Sequence, residues 1–382
     1  MKLMILDGNS IVNRAFYGVR QLNAPDGTPT NAVYGFLAIL RRLLDEQKPD
    51  AVCVSFDLKA PTFRHKAYDA YKAQRKAMPE ELAVQMPLLK ETLDAMGIRR
   101  YELEGYEADD ILGTAAAVCE KDGWQCVIVT GDKDSLQLIT EATSVCNVKT
   151  RMGQTETTLY TPELFREEYG FEPVRMVDLK ALMGDSSDNI PGVPGIGEKT
   201  AMDLVRRYGT VDAIYNGLAS LDIKDGVRKK LAAGEESARK SYWLATICRD
   251  IPIEFVPGEN VWNNSYTPAL YGIFKRLGFN KFIEKWGIRP EEQSAGIAAE
   301  APDAAHLKTI DDAGIDEIIS AVESARYVAV AAVDGLDRIE LCDGKCVYTA
   351  AWTQYGEQYN ELLRAVFNSC VKKVGHNVKD LM

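Results

Sequence analysis

Gly105–Leu138 reads GYEADDILGTAAAVCEKDGWQCVIVTGDKDSLQL, and this stretch decides the fold. It carries two carboxylate clusters: Glu107, Asp109 and Asp110, then Asp132 and Asp134. Between them, ILGTAAAVCEKDG has a periodic apolar face closed by Gly123, the pattern of a helix with a glycine stop. Cys126–Thr130 is apolar and β-branched and reads as a buried parallel strand. Ligands of open α/β sheets sit outside the carboxyl ends of the strands, which is where Asp132 and Asp134 fall. Carboxylates gathered there repel one another and take up protons unless a cation neutralises them. An oxygen-only donor set without His or Cys favours a hard divalent ion, Mg²⁺ or Mn²⁺.

Working outward, KLMILDG and AVCVSFD are two more short apolar strands, ending at Asp7 and Asp57. One strand-end Asp commonly caps the next helix. Three of them, with the Glu107–Asp110 cluster, predict a shared site on one sheet edge. NAVYGFLAILRRLLDEQKPD predicts an amphipathic helix from Asn31. From Lys59 to Met78 the chain turns basic: Lys59, Arg64, Lys66, Lys72, Arg75 and Lys76 stand against Asp69 alone, interleaved with Phe63, Tyr68 and Tyr71. This is either a solvated helix face or a mobile arch that grips phosphates and stacks bases; its place directly after Asp57 favours the arch.

Downstream, SVCNV and TTLYT predict short strands, and TPELFREEYG a helix capped by Thr161 with Pro162 in its first turn. Asp185 and Asp188 lie in a turn after the apolar VRMVDLKALM helix. Gly192-Val-Pro-Gly195-Ile-Gly197 follows, then a helix from about Lys199. This is not a P-loop, because no strand precedes it and Glu198 intrudes before the lysine. A glycine turn feeding a helix N-terminus offers bare N–H groups to an anion, which would hold a DNA phosphate without reading sequence. The alternative is a plain packing turn.

At 382 residues the chain has room for roughly two to three domains. The net charge of −11 speaks against a nucleic-acid partner, but setting aside Asp7, Asp57, Glu107, Asp109, Asp110, Asp132, Asp134, Asp185 and Asp188 leaves the rest nearly neutral. Eight cysteines without C-x-x-C pairs suit reduced thiols in a cytosol. His65, His306 and His376 are too scattered for a zinc site or a Ser-His-Asp triad. No apolar run approaches the roughly 20 residues of a membrane span, and MKLMILDGNS turns polar too early for a signal peptide. Pro290–Ala305 lacks periodicity and reads as a linker. From His306 a second α/β pattern begins: a helix around Ile310–Ser324, a strand YVAVAAV, a hairpin LDRIELCDGKCVYTA, a helix YNELLRAVF, then KVGHNVKDLM. It breaks off abruptly, as a fragment of a longer protein would.

Asp7, Asp57, GYEADD at Gly105–Asp110, TGDKDSLQL at Thr130–Leu138 and GDSSDNIPGVPGIGEKTA at Gly184–Ala201 together resemble the 5′-nuclease domains of bacterial DNA polymerases I, members of the flap endonuclease family. The resemblance covers roughly residues 1–290. It implies a PIN-like parallel-sheet α/β domain (1–175) with a helical arch, then a helix–three-turn–helix DNA-binding subdomain (176–290). A linker (291–305) and a partial, ribonuclease H-like 3′-5′ exonuclease domain (306–382) would follow.

It also implies two-metal hydrolysis of DNA bearing 5′ flaps, nicks or branches, by a monomer in the bacterial cytoplasm with a polymerase domain in cis. Carried over, Asp7, Asp57, Glu107, Asp109 and Asp110 would hold one ion. Asp132 and Asp134 would bridge to a second set completed by Asp185 and Asp188. Lys72 and Arg75 would be catalytic, and Arg64, Tyr71, Lys72 and Arg75 would meet DNA. Gly192, Gly195, Gly197, Lys199 and Thr200 would hold duplex backbone, with K⁺. In the last domain the usual Asp-x-Glu pair falls on Val330 and Ala332, and the later acid on Leu381, one place after Asp380; an inactive scaffold is expected. The rival readings are a non-catalytic DNA-binding module and a small-molecule phosphatase using Asp132-x-Asp134.

Overall fold

Alternation in the strands builds the first unit. In β1 (Lys2–Asp7), Met4 and Leu6 enter one core, Leu3 and Ile5 the other. The same alternation splits Val52 and Val54 from Ala51 and Cys53 in β2 (Ala51–Ser55), and Val127 and Val129 from Cys126 and Ile128 in β4 (Gln125–Thr130). A sheet buried on both faces and covered by helices results. Its order is β3-β2-β1-β4-β5-β6, with β3 at Arg99–Tyr101, β5 at Thr143–Arg151 and β6 at Gln154–Tyr160. Every pairing is parallel except the β5–β6 hairpin. Asp7 stands opposite Ser55, and Leu6 opposite Val129, so Asp7, Asp57 and Asp132 leave the sheet along the same edge.

One face carries α1 (Gly8–Gly18), α2 (Asn31–Gln47), α4 (Glu80–Ala83) and α5 (Gln85–Ala95), while the short α3 (Phe63–Ala67) after β2 meets the start of α6 and the end of α12. The other receives α6 (Ala108–Lys121), α7 (Pro162–Tyr169), α8 (Met176–Met183), α9 (Glu198–Tyr208), α10 (Val211–Asn216), α11 (Asp225–Ala233) and α12 (Glu235–Ala245). The predicted Gly123 stop and Thr161 cap are both present: Gly123 has φ +71°, and the Thr161 hydroxyl accepts from Leu164 N–H. The last helices, α13 (Ala269–Arg276) and α14 (Asn280–Trp286), depart from the expected 176–290 subdomain. Leu270, Phe274, Phe282 and Trp286 return to the α2 side and share its core with Phe36 and Leu40.

The structure, a computed structural model, describes residues 1–151, 154–263, 266–289, 308–310, 314–325, 327–333, 337–343, 346–368 and 372–375. Contacts divide the chain into Met1–Ser294 and Ala295–Met382. The second unit has its own core around Ile318, Val328, Leu341 and Leu362. Its five-stranded sheet runs β11-β8-β9-β10-β7, with β7 Lys308–Ile310, β8 Tyr327–Val333, β9 Arg338–Cys342, β10 Cys346–Ala351 and β11 Lys372–Gly375. The expected hairpin is β9–β10. Ile310 closes a strand, and the helix begins only at Ile315, after Gly314, later than its apolar periodicity implied. Val330 and Ala332 lie in β8. The linker and Asp380–Leu381 lie outside the described residues. Among the described residues no helix is long and apolar enough to cross a membrane.

Candidate metal centre

Asp7 closes β1 and caps α1. Its Oδ1 accepts from Ser10 N–H at 2.9 Å, and its Oδ2 from the Thr130 hydroxyl at 2.9 Å. The ends of β1 and β4 are thereby tied together. Beyond β4, Asp132 Oδ1 accepts from Asp134 N–H at 2.9 Å. Asp57 Oδ1 accepts from Ala108 N–H at 2.7 Å, which pins the loop after β2 to the first turn of α6. That turn carries Asp109, 3.5 Å from the Ser135 hydroxyl. Burial, followed by the charges of Asp57 and Asp132, pushes Asp7 up to about 7. Burial, then Asp7 and Asp132, raises Asp109 well above the carboxylate range. Among the described residues no basic side chain forms an ion pair with Asp7, Asp57, Asp109 or Asp132.

The other five acids are met by cations. Asp110, fully buried, takes a bidentate bridge from Arg64 at 2.8 Å on each oxygen, together with Glu107 N–H and Cys248 N–H. Glu107 accepts from Lys72 at 2.7 Å, Tyr71 at 3.0 Å and Arg64 at 3.2 Å. Arg75 bonds Asp188, and Lys72 lies 3.7 Å from the same carboxylate. Lys180 on α8 sits between Asp134, at 2.6 Å, and Asp185. Burial and then Asp132 push Asp134 up to about 7. Asp185 lies below its ordinary value: burial pushes it up, but the bond from Lys180 outweighs burial when joined by Ser187.

The structure therefore gathers all nine predicted acids but corrects how their charge is balanced. Divalent ions are not the sole neutraliser, because Arg64, Lys72 and Lys180 turn inward and the half-exposed Arg75 reaches Asp188 from the surface. Among the described residues, no group of three or more His, Cys, Asp or Glu side chains is already arranged to hold a metal ion. The donor chemistry nevertheless fits a hard divalent ion: every candidate ligand is a carboxylate, and neither buried Asp7 nor half-buried Asp109 has an ion-paired side chain among the described residues.

The 59–78 segment is divided. Only Phe63–Ala67 is helical, the turn around Ala70–Lys72 folds against Asp188 and Asn189, and Lys59, Lys66, Arg75 and Lys76 stay exposed. Lys72 N–H donates to Asp188 O, and the Asn189 amide to Ala70 O. Arg64 and Tyr71 are 2% and 4% exposed. With its guanidinium spent on Asp110, Glu107 and the carbonyls of Leu244 and Thr246, Arg64 has no donor facing solvent for a phosphate. His65 serves the fold by closing a capping box with Thr62.

In the glycine turn, Gly192 does not present a free N–H. It donates to Ser241 Oγ at 2.9 Å and packs so closely, at φ +62°, that a Cβ there would lie 2.3 Å from Gly184 N. Gly197 caps α9, with Lys199 exposed and Thr200 half-buried on its first turn. Gly195 O accepts from Lys230.

Lys180 was not singled out from the sequence. The available signal was an amine inside the apolar run Met176, Val177, Leu179, Ala181, Leu182, all buried. Arg14 was also missed; it bonds Gly131 O and lies within electrostatic reach of Asp132 and Asp7.

Residues 2–170 match the profile of the 5′-3′ exonuclease N-terminal resolvase-like domain, and residues 171–266 that of the 5′-3′ exonuclease C-terminal SAM fold. DNA polymerase I of Bacillus subtilis is 43% identical over 84% of this chain and 36% of its own length. The thermostable DNA polymerase I of Thermus thermophilus is 39% identical over 79% of this chain and 34% of its own. The chain thus spans about a third of the length of these relatives. Among solved structures, the bacteriophage T5 5′-exonuclease with bound zinc superposes with a TM-score of 0.53 at 22% identity, covering 75% of this chain and 99% of that one. That likeness speaks to the fold alone. Matched in tandem by both domain profiles, with a two-faced parallel sheet followed by a helical region, the chain belongs to the 5′-3′ exonuclease family.

Proposed function

We propose that the chain is a structure-specific 5′-nuclease, a 5′-3′ exonuclease and flap endonuclease, hydrolysing DNA at 5′ flaps, nicks and branches with two or more Mg²⁺ or Mn²⁺ ions. The observation that carries this reading is the convergence of carboxylates from the ends of β1, β2 and β4 and the start of α6, with Asp185 and Asp188 after α8 joined to them through Lys180, Lys72 and Arg75. The bacterial DNA polymerases I and the metal-bound T5 exonuclease support it by their names. When bound, the ions would activate water and steady the departing oxygen.

The protein's own part is to orient and to neutralise. Asp7, Asp57, Asp109 and Asp132 offer oxygens oriented by Ser10 and Thr130, by Ala108, by Ser135 and by the Asp134 N–H respectively. Lys72 and Arg75, which rest on Glu107 and Asp188, are placed to exchange those carboxylates for a scissile phosphate and to balance its growing charge. Asp110 is reassigned from ion ligand to anchor, because four donors saturate it. Lys199 and Thr200 at the start of α9 would take duplex backbone. A K⁺ ion at the Gly192–Thr200 turn would require Lys230 to release Gly195 O.

The second unit is read as an inactive exonuclease-like scaffold, since β8 carries Val330 and Ala332 in place of two acids. A polymerase domain in cis, a monomer and a bacterial cytoplasmic location complete the proposal.

Cleavage of a 5′-flap duplex labelled at both ends, titrated with Mg²⁺, tests it. Metal-dependent release of the flap by the wild type and none by Asp132→Asn is expected. Flap binding without cleavage at any metal concentration would favour a DNA-binding module instead.

A further inference from the structure

Lys180 is a largely buried basic residue to which the proposed mechanism gives no role. It points from α8 into the acid cluster with its side chain 15% exposed, flanked by Asp134 at 14% and Asp185 at 13%. Its ammonium is 2.6 Å from Asp134 Oδ1 and bonded to Asp185 Oδ2. Asp185 is held from its other side by Ser187, through N–H at 2.7 Å and the hydroxyl at 2.6 Å. Asp185 is therefore fixed without the lysine, whereas the ammonium, on a flexible stem, is the contact shared by both carboxylates and the mobile partner.

We propose that Lys180 is a displaceable counter-cation. It fills the space between Asp134 and Asp185 that a divalent ion would need, so an ion enters this half of the cluster only as the ammonium swings out. No such exchange is required at Asp7, Asp109 and Asp132, which have no ion-paired side chain. The inference rests on the proposed metal-centre reading.

An ammonium and a divalent ion sharing two carboxylates repel each other at close range. Loading is therefore ordered: the Asp7–Asp109–Asp132 side fills first, and the Lys180 side more weakly. Lys180→Met keeps the aliphatic stem and removes the charge. Lys180→Arg keeps a charge.

Calorimetric titration of the full chain with Mn²⁺ alone tests the proposal. The wild type is expected to show a tighter and a weaker class of site. In Lys180→Met the weaker class should tighten by on the order of tenfold, about 1.4 kcal/mol, while Lys180→Arg stays near wild type. A weaker class unchanged or weakened in Lys180→Met would overturn the counter-cation role and leave the metal-centre reading standing. Absence of Mn²⁺ binding in every variant would overturn both.

A second readout uses the wild type alone and so survives any misfolding of the variant. Acetylation of Lys180 by acetic anhydride, followed by mass spectrometry, should become faster when Mg²⁺ is added. Unchanged or slower labelling would overturn the proposal.

Discussion

Asp7, Asp57, Asp109 and Asp132 take hydrogen bonds from backbone N–H groups and hydroxyls, whereas Glu107, Asp110, Asp134, Asp185 and Asp188 are met by guanidinium and ammonium groups. Both sets lie in one cluster at the carboxyl edge of the sheet. The difference is physical. Neutral donors orient a carboxylate and leave its charge to be balanced by something else. A buried basic partner cancels the charge, and the pair then holds elements together. The first set is built to receive a cation. The second set is built to lock the strap after β2, the start of α6 and the end of α8 to one another, and releases its acids only when a basic side chain moves.

That division can be broken by substitution. The largest effect is expected from Asp109→Asn, which touches no ion pair. Flap-cleavage rate should fall by more than ~100-fold, beyond the loss typical of an outer-shell partner, with the melting temperature unchanged or raised. A variant that melts much earlier would place Asp109 in the structural set.

Arg64→Gln should do the reverse. It strands Asp110, which is 0% exposed, as an uncompensated buried charge. A loss of about 3–5 kcal/mol is expected, with melting lowered by on the order of 10 °C. Asp110→Asn should fall in the same direction, and the double variant by less than the sum of the two, as coupled partners do. Additive losses would show that Arg64 and Asp110 act independently.

Lys72→Ala is intermediate. Glu107 keeps Arg64 and Tyr71, so melting should drop only a few degrees. The cleavage rate should fall on the order of a hundredfold, through loss of positive charge at the phosphate. An unfolded variant would make this lysine structural.

The smallest effect is on pH dependence. Asp7 has a folded pKa of about 7 against an ordinary 3.8. Between those values the folded state binds more protons than the unfolded one, so this group's contribution to stability falls as pH rises from about 4 to about 7. In chelator, Asp7→Asn should therefore gain a few degrees over wild type at pH 8 and lose that advantage near pH 5. A gain independent of pH would mean Asp7 is not charge-strained.

Much of this was legible in the sequence because it depends on local pattern. Strand alternation, the Gly123 stop, the Thr161 cap and acids at strand ends are all set by residues a few positions apart. What escaped depends on partners far along the chain. Arg64 looked like a phosphate ligand because composition does not show that Asp110, Leu244 O and Thr246 O enclose it. Tyr71 looked like a stacking ring, yet its hydroxyl serves Glu107. Lys180 passed unremarked inside an apolar helix. The return of α13 and α14 to the α2 face was hidden because Phe274 and Trp286 would suit either core.

The most direct test of the account is an anomalous-difference map from crystals soaked in Mn²⁺. The account predicts an ion contacting Asp109 and Asp132, with the Arg64–Asp110 bridge intact beside it. Mn²⁺ bound by Asp110 with Arg64 expelled, or found only away from this sheet edge, would contradict it.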